Sequence, residues 1–207
     1  MALELDETYY KEGYQFIVGT DEAGRGCLLG PVFAAAVILP QGFHSPLIND
    51  SKKLTEKKRE EAYQLIIENA LSYAVASVGP EEIDEINIYN ASRLAMEKAI
   101  SKLKHKYDLI LTDAMKIPNQ KVGVIDIIHG DALSQSIAAA SILAKVSRDH
   151  YCNEIDAQYP EYHIKKNKGY GTKDHLEALK KYGPVKHLHR FTYAPVKACF
   201  IQKISLF

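Results

Sequence analysis

Residues 14–39 read YQFIVGTDEAGRGCLLGPVFAAAVIL, and this stretch decides the fold that the sequence predicts. An apolar run leads to the neighbouring acids Asp21 and Glu22, a glycine-rich turn follows at residues 23–26, and a second apolar run fills residues 31–39. Apolar runs on either side of a glycine turn predict two strands joined as a hairpin. Two carboxylates at the end of a buried strand repel each other, which favours a hard divalent cation with oxygen ligands. A solvated turn is an equally good interpretation of this stretch alone.

Length and composition limit the class of protein to which this sequence can belong. The chain has 207 residues, 46% of them hydrophobic and 25% charged, which is typical of one soluble globular domain with a sizeable core. Its formal net charge of zero implies that any polyanion must bind a local patch. Cys27, Cys152 and Cys199 fit neither a metal-ligand spacing nor a disulfide framework, which indicates a reducing compartment. The acidic N-terminus is unlike a signal peptide, and no apolar run is long enough to cross a bilayer. We therefore expect a cytoplasmic monomer that does not bind membranes.

Beyond the hairpin, the hydrophobic pattern changes repeatedly between helical and strand periods. The predicted elements are a helix after the N-cap Thr55, a strand over residues 72–78, a short helical segment from Pro80, a helix over residues 90–103 and a helix over residues 134–151. In the last helix, Ser141 and Lys145 lie four residues apart on one face. This spacing either serves a substrate or has no functional meaning.

Two further acids follow apolar strands. A strand over residues 108–112 ends on Asp113, and a strand over residues 122–128 runs toward Asp131. The alternation of strands and helices favours a mixed α/β sheet over an all-helical fold. If the strand that ends on Asp21 lies parallel to the strand that ends on Asp113, both acids meet at the carboxyl edge of the sheet, where open α/β sheets place their sites. Asp131 precedes a helix, and taken alone it is better explained as an N-cap.

A polar loop and a basic region both offer contacts for phosphate. The loop contains Ser51, Lys52 and Lys53, and its lysines either contact phosphates or form a solvated loop. Residues 160–190 carry eight Lys and Arg side chains against three acidic ones, around the glycine-flanked Tyr170. Cations for phosphate and a ring for stacking suit a nucleic-acid strand. The alternative is a solvated face with a tyrosine that packs the turn.

Several motifs together resemble the ribonuclease HII family. They are DEAGRG at residues 21–26, DSKK at residues 50–53, Asp113, GD at residues 130–131, AASILAKVSRD at residues 139–149, NKGYGT at residues 167–172, His175, and HR at residues 189–190. They follow the family's order over nearly the whole chain. The resemblance implies an α/β, ribonuclease H-like fold: a five-stranded mixed sheet flanked by helices, with a small helical C-terminal extension. It also implies cleavage of the RNA strand in RNA–DNA hybrids and at single ribonucleotides in duplex DNA. The cut falls on the 5′ side of the ribonucleotide and leaves 3′-hydroxyl and 5′-phosphate ends.

The resemblance also assigns roles to residues. The implied metal ligands, which are the catalytic residues, are Asp21, Glu22, Asp113 and Asp131. They hold Mn²⁺ or Mg²⁺, with two ions during catalysis, and the ions activate a water and stabilise the leaving 3′-oxygen. The implied substrate-binding residues are Gly24, Arg25, Gly26, Ser51, Lys52, Lys168 and Tyr170. Among these, the glycine-turn backbone senses the 2′-hydroxyl and the tyrosine packs on the sugar at the RNA–DNA junction.

The implied domains are a ribonuclease H-like catalytic core over residues 14–159, a basic and mainly helical substrate-binding extension over residues 160–196, and a tail over residues 197–207. Three positions depart from the family pattern. Ala114 replaces a usual glycine, residues 27–29 read CLL where the family more often has a Pro-Leu-Ala run, and Phe191 stands where a second arginine is common. The departure at Phe191 implies a weaker grip on phosphate there.

Two other classes of function remain open at this point. A sibling nuclease, such as ribonuclease HIII or a resolvase of the same fold, would use similar carboxylates. Ribonuclease HIII usually carries a sizeable N-terminal substrate-binding domain, whereas only about fifteen residues precede the first predicted strand here. A non-catalytic hybrid-binding protein would have no reason to keep all four acids.

The last five residues, KISLF at residues 203–207, resemble the Gln-Leu-Ser-Leu-Phe type of motif that binds bacterial sliding clamps. The apolar anchors would be Ile204, Leu206 and Phe207, and the departure is Lys203 in place of glutamine. Such peptides bind in an extended form with their apolar anchors in a preformed pocket. The alternative is that the final apolar pair folds back on the body of the protein.

Overall fold

The computed structural model describes residues 4–49, 51 and 53–204, and the side chains as far as residue 199. Four predicted site residues are affected. Lys52, Leu206 and Phe207 lie outside the described residues, and Ile204 is described only as the last residue of a helix. The predicted roles of these four residues stay predictions.

The centre of the fold is a five-stranded mixed sheet, as predicted. Its strands are β1 (Ile17–Ala23), β2 (Val32–Ile38), β3 (Ser72–Val78), β4 (Leu109–Asp113) and β5 (Gly123–Ile127), in the order β3-β2-β1-β4-β5. The glycine turn joins β1 and β2 as an antiparallel hairpin, and β3 is antiparallel to β2. On the other side β4 is parallel to β1 and β5 is parallel to β4. Asp21 and Asp113 were predicted to lie together only if their strands were parallel, and the structure confirms that β1 and β4 are parallel.

Within the described residues, seven helices cover the sheet or extend the fold beyond it. They are α1 (Leu5–Lys11), α2 (Glu56–Asn69), α3 (Pro80–Ser101), α4 (Gln135–Asp156), α5 (Ile164–Asn167), α6 (Lys173–Tyr182) and α7 (Ala194–Ile204), with 3₁₀ turns at Gly130–Ala132 and Pro160–Tyr162. Asn87 has φ 65° and breaks α3 into the two segments that the sequence predicts. Helix α1 lies in a part of the chain for which the sequence pattern predicted no element.

The sheet is buried because both of its faces carry helices. Along β2, Ala34 and Ala36 face the core shared with α3, while Ala35 and Val37 face the core shared with α2 and α4. Successive strand side chains point to opposite faces, so a strand buried on both faces reads as a continuous apolar run. None of the helices in the described part of the chain combines the length and the hydropathy that a membrane span requires.

Side-chain caps define where α2 and α4 begin. Thr55 accepts a hydrogen bond from the Lys58 N–H and caps α2, as predicted. The cap of α4 is Ser134, whose hydroxyl oxygen accepts from the Ile137 N–H. The interpretation of Asp131 as an N-cap is therefore wrong, because Asp131 lies three residues earlier, in the 3₁₀ turn.

Candidate active site

The sheet topology brings three of the predicted metal ligands together. Thr20 pairs with Thr112 across the parallel strands β1 and β4, so Asp21 and Asp113 follow at the same end of neighbouring strands. Asp131 reaches this edge from the 3₁₀ turn after β5, where the Gly130 N–H donates to Asp113 Oδ1 at 2.8 Å. One carboxylate oxygen from each of the three acids lies within 4.8 Å of the other two. Such a group of oxygens could hold a metal ion.

Glu22, the fourth predicted ligand, lines the same cavity as Asp21 and Asp113. Its Oε1 accepts from the Arg25 guanidinium at 3.3 Å. Its Oε2 is buried and has no hydrogen-bond partner among the residues that the structure describes. A buried carboxylate oxygen without a partner is costly, so this atom is suited to a cation at the same place.

The electrostatics of the acids are unfavourable in the protein alone. Burial raises the pKa of Asp21 well above its ordinary value, and the negative charges of Glu22 and Asp113 raise it further. Burial also raises the pKa of Glu22, although Arg25 opposes that change. Burial and like charges both disfavour the ionised form, and a bound cation would offset both effects.

Two buried arginines hold the glycine turn beside the acids. Gly24 has φ +99°, and a Cβ at this position would lie 2.2 Å from Nε of Arg148. Arg148, only 1% exposed, donates to the carbonyl oxygens of Lys168 and Leu29 at 2.7 and 3.2 Å. Arg190, 0% exposed, donates to the carbonyl oxygens of Gly30 and Arg25 at 3.0 and 2.9 Å. The turn therefore needs glycine both for its backbone conformation and for its contact with Arg148.

Hydrogen bonds to the neighbouring backbone hold Tyr170 above this turn, and its hydroxyl also forms a hydrogen bond with Cys27. The Asn167 side chain donates to the Tyr162 carbonyl and accepts from the Gly169 N–H, both at 2.7 Å. The Tyr170 side chain is 46% exposed and lines the cavity that contains the acids. A Cβ at Gly26 would lie 3.9 Å from its ring. The structure thus places an available aromatic face next to the glycine turn.

Two buried histidines support the Tyr170 backbone. His189 Nδ1 accepts from the Val185 N–H at 3.0 Å, so its Nε2 carries the proton and faces His175 Nε2 at 3.4 Å. His175 in turn donates from Nδ1 to the Tyr170 carbonyl at 2.9 Å. Burial lowers the pKa of His189 to about 3 and also lowers the pKa of His175, so both rings are neutral at neutral pH.

The remaining predicted substrate contacts divide into two groups. Ser51 lines the cavity, and its hydroxyl lies 3.1 Å from that of Ser141. Lys168 lies elsewhere, since its ammonium donates to Asn153 Oδ1 at 2.9 Å and its side chain is 18% exposed. The structure therefore brings Ser51 to the acids but directs the Lys168 ammonium toward α4.

Other cavity residues were less apparent in the sequence. Ser141 and Lys145, noted only for their spacing, both line the cavity, and Lys145 pairs with Asp149 at 2.5 Å. Arg59 also lines the cavity and donates to the carbonyl oxygens of Ser51 and Leu54. No sequence signal pointed to Arg59. Its guanidinium also lies 3.8 Å from Asp149 Oδ2 on α4, a contact that depends on how α2 packs against α4.

The basic C-terminal region is less available to phosphate than its composition suggests. Arg190 was counted among its cations, and that interpretation is wrong, because the guanidinium is buried on backbone carbonyls. Lys166 pairs with Asp174 at 2.9 Å on the surface. At Phe191, the departure from the family pattern, the backbone N–H donates to Asp84 and the ring packs in an apolar cluster.

Solved structures identify the fold and, with the site, the class of protein. Ribonuclease H2 from Pyrococcus horikoshii OT3 superposes with a TM-score of 0.76 at 26% identity, over 90% of this chain and 98% of that one. Bst-RNase HIII in complex with Mn²⁺ gives 0.74 at 16% identity, over 93% and 71%. The ribonuclease HII of an Archaeoglobus fulgidus complex with PCNA gives 0.70 at 24% identity, over 84% and 92%. The carboxylate edge on this fold defines a nuclease of the ribonuclease H-like class.

The sequence comparisons then specify the family. Residues 18–196 match the family model of ribonuclease HII. Ribonuclease HII from Desulfitobacterium hafniense (strain DSM 10664 / DCB-2) is 54% identical over 195 residues, which cover 94% of this chain and 75% of that protein. Ribonuclease HII from Acholeplasma laidlawii (strain PG-8A) is also 54% identical, over 94% and 95%. The chain belongs to the ribonuclease HII family, and it is an endonuclease that degrades RNA in RNA–DNA hybrids. The sibling-nuclease and non-catalytic alternatives are excluded.

Proposed function

We propose that Asp21, Glu22, Asp113 and Asp131 together hold Mn²⁺ or Mg²⁺, with two ions during catalysis. The observation that carries this proposal is the approach of three carboxylate oxygens to within 4.8 Å beside the buried, unpartnered Oε2 of Glu22. Oxygen-only donor sets suit these hard cations. The Mn²⁺ complex of the structurally similar ribonuclease HIII is consistent with this choice.

The residues of this chain prepare the site for hydrolysis. A divalent cation, when bound, supplies Lewis-acid activation of water and charge stabilisation at the leaving 3′-oxygen. Asp113 also fixes the turn that carries Asp131 by accepting from the Gly130 N–H. Arg25 pairs with Glu22 and so limits the conformations of that side chain.

We further propose that the enzyme cuts at single ribonucleotides in duplex DNA as well as in long hybrids. The glycine turn at residues 24–26 lies beside the acids, and its backbone is the part that would sense the 2′-hydroxyl. The exposed Tyr170 ring over this turn would pack on the sugar at the junction. In this proposal residues 160–196 form the substrate-binding extension, since they supply Tyr170 and the network that holds it.

The test is cleavage of a labelled duplex that contains one ribonucleotide. We expect cutting on the 5′ side of the ribonucleotide in Mn²⁺ or Mg²⁺, a 3′-hydroxyl and a 5′-phosphate at the ends, and no cutting in chelator. An all-DNA duplex of the same sequence is the control for contaminating nuclease. No cut in either metal at the single ribonucleotide, alongside cleavage of a long hybrid, would remove the single-ribonucleotide part of the proposal.

A further inference from the structure

Helix α1 precedes the segment that matches the family model, yet it contacts the part of the chain that carries Asp131. Asp6 on this helix is 5% exposed and points at the N-terminus of α4. Leu5 N–H also donates to the Leu133 carbonyl at 3.1 Å. The helix is thus attached to the residues that directly follow the Asp131 turn.

Both carboxylate oxygens of Asp6 take part in this attachment. Oδ1 accepts from the Ser134 hydroxyl at 2.5 Å. Oδ2 accepts from the Ser136 N–H at 2.9 Å and from the Ser136 hydroxyl at 2.6 Å. Because Ser134 donates its proton to Asp6, its lone pairs are left to accept from the Ile137 N–H and cap α4. Asp6 therefore determines which way the capping hydroxyl points.

The turn that carries Asp131 is consequently held from two sides. On one side Asp113 accepts from the Gly130 N–H, and on the other side Asp6 fixes the residues around Ser134. The Ser134 N–H closes the turn itself, because it donates to the Gly130 carbonyl at 2.8 Å. A displacement at Ser134 is thus transmitted to Gly130 through one hydrogen bond, and Asp131 lies between them.

Burying the Asp6 carboxylate at the N-terminus of α4 costs free energy. Burial raises the pKa of Asp6, and its hydrogen bonds to Ser134 and Ser136 oppose that change. Metal ligands need their positions fixed by such outer hydrogen bonds, since a site that is about 1 Å too loose loses much of its function.

We propose that Asp6 is a positioning residue for Asp131, and that helix α1 thereby sets the metal affinity of the active site. The inference rests on the proposed metal site. It predicts that loss of the Asp6 hydrogen bonds weakens metal binding and the chemical step while substrate binding is preserved.

The experiment compares Asp6→Ala, Asp6→Asn and the matched control Glu7→Ala, which removes a negative charge from an exposed position of the same helix. Mn²⁺ binding to each full-length protein is measured by calorimetry, with kcat and KM on the hybrid and the melting temperature in chelator. We expect Asp6→Ala to weaken Mn²⁺ binding and to lower kcat, each by about tenfold, with KM within about twofold of wild type. Asp6→Asn should be milder, because an amide oxygen still accepts from the Ser136 N–H, and Glu7→Ala should match wild type.

Three results would overturn the inference. The first is wild-type Mn²⁺ affinity in Asp6→Ala with only a lower melting temperature, which is a purely structural role. The second is an equal loss of Mn²⁺ affinity in Asp6→Asn and Asp6→Ala. The third is an equal loss in Glu7→Ala, since both results would assign the effect to charge.

If Asp6→Ala does not fold, Ser136→Ala replaces it, and unchanged Mn²⁺ affinity in that variant counts against the inference. Absence of Mn²⁺ binding by wild type would instead contradict the proposed metal site itself.

Discussion

The acid cluster of Asp21, Glu22, Asp113 and Asp131 and the Tyr170 turn of residues 167–172 both contribute to the active-site cavity, which Tyr170 lines together with the first three acids, but they are built in opposite ways. In the acid cluster, burial and like charges raise the pKa of Asp21, and Glu22 Oε2 lacks a partner among the described residues. In the Tyr170 turn, hydrogen bonds occupy the Asn167 amide, the Gly169 N–H and the Tyr170 carbonyl.

The acid cluster needs a bound ligand to balance its charges, whereas the fold alone already orders the Tyr170 turn. The acid cluster is electrostatically incomplete, so binding a cation should stabilise the folded protein. The Tyr170 turn is ordered before substrate arrives, so substrate binding loses little conformational entropy there. Substitutions in the two regions should therefore change different measured quantities.

The largest effect is expected for Asp131→Asn. Metal assistance is worth several kcal/mol of transition-state stabilisation, and each 1.4 kcal/mol is about a factor of ten, so cleavage should fall by about a hundredfold or more. The melting temperature in chelator should be equal to or higher than that of wild type, because the change removes one of several like charges. The measurements are a single-turnover cleavage rate and a thermal melt. A clear fall in metal-free melting temperature would show that Asp131 stabilises the fold and is not poised for a ligand.

A smaller and more selective effect is expected for Tyr170→Ala. Burying an apolar side chain of this size against the sugar contributes about 1.5–3 kcal/mol, so cleavage at a single ribonucleotide should fall by about tenfold or more. Cleavage of a long hybrid should fall less, since it presents many alternative positions. Tyr170→Phe keeps the ring and serves as the control. Equal losses on both substrates would reduce Tyr170 to a general binding residue and would remove the proposed contrast between the two regions.

Asp21→Asn should change stability in a pH-dependent way. Because burial raises the pKa of Asp21, the folded protein binds more protons than the unfolded chain between the ordinary carboxyl pKa of about 4 and the raised value. Wild type in chelator therefore loses stability as the pH rises through this window, and the variant lacks that loss.

Thermal melts in chelator should show Asp21→Asn above wild type at neutral pH, with the difference vanishing near pH 4, about the ordinary pKa. Adding Mn²⁺ should reverse the order. At a free concentration about 100 times Kd, a ligand adds about 2.7 kcal/mol to wild type. A variant that is less stable than wild type in chelator at neutral pH would mean that the acids are not in mutual repulsion.

The smallest effect on cleavage is expected for truncation after Gln202, which removes Lys203 and the candidate clamp anchors. Both regions of the cavity remain, so cleavage of short free duplexes should be unchanged. If the tail binds a sliding clamp, the full-length protein should bind a purified bacterial clamp with micromolar affinity and the truncated form should not. Loss of basal activity or of folding in the truncated form would assign the tail a structural role.

The predictions that succeeded depended on local pattern. The apolar runs and the glycine turn predicted the hairpin of β1 and β2, and Thr55 predicted the start of α2. Asp21 and Asp113 were recognisable because parallel strands that end on acids place them at one edge of a sheet. Taken alone, Asp131 was better explained as an N-cap, and this interpretation was wrong because Ser134 caps α4 while Asp131 lies in the preceding 3₁₀ turn.

The contacts that were missed join residues far apart in the sequence. Arg190 looked like one more cation in a basic region, but it lies buried against the turn near Arg25. Asp6 lay in an acidic segment with no predicted element, yet it accepts hydrogen bonds from Ser134 and Ser136 at the start of α4. Composition cannot distinguish a solvated charge from a buried one, because burial depends on which elements pack over it.

The sequence by itself determined the sheet, the two strand-end acids and the family, because strand period, turn chemistry and motif order are local properties of the chain. Only the tertiary structure decided which groups share one cavity and which charges are satisfied. In the tertiary structure Arg190 is buried, and Ser141 and Lys145 line the same cavity as the acids. Helix α1 is hydrogen-bonded to the residues that follow the Asp131 turn. The physical reason is that hydrogen bonding and burial act between neighbours in space, and the sequence specifies those neighbours only through the packing of the whole fold.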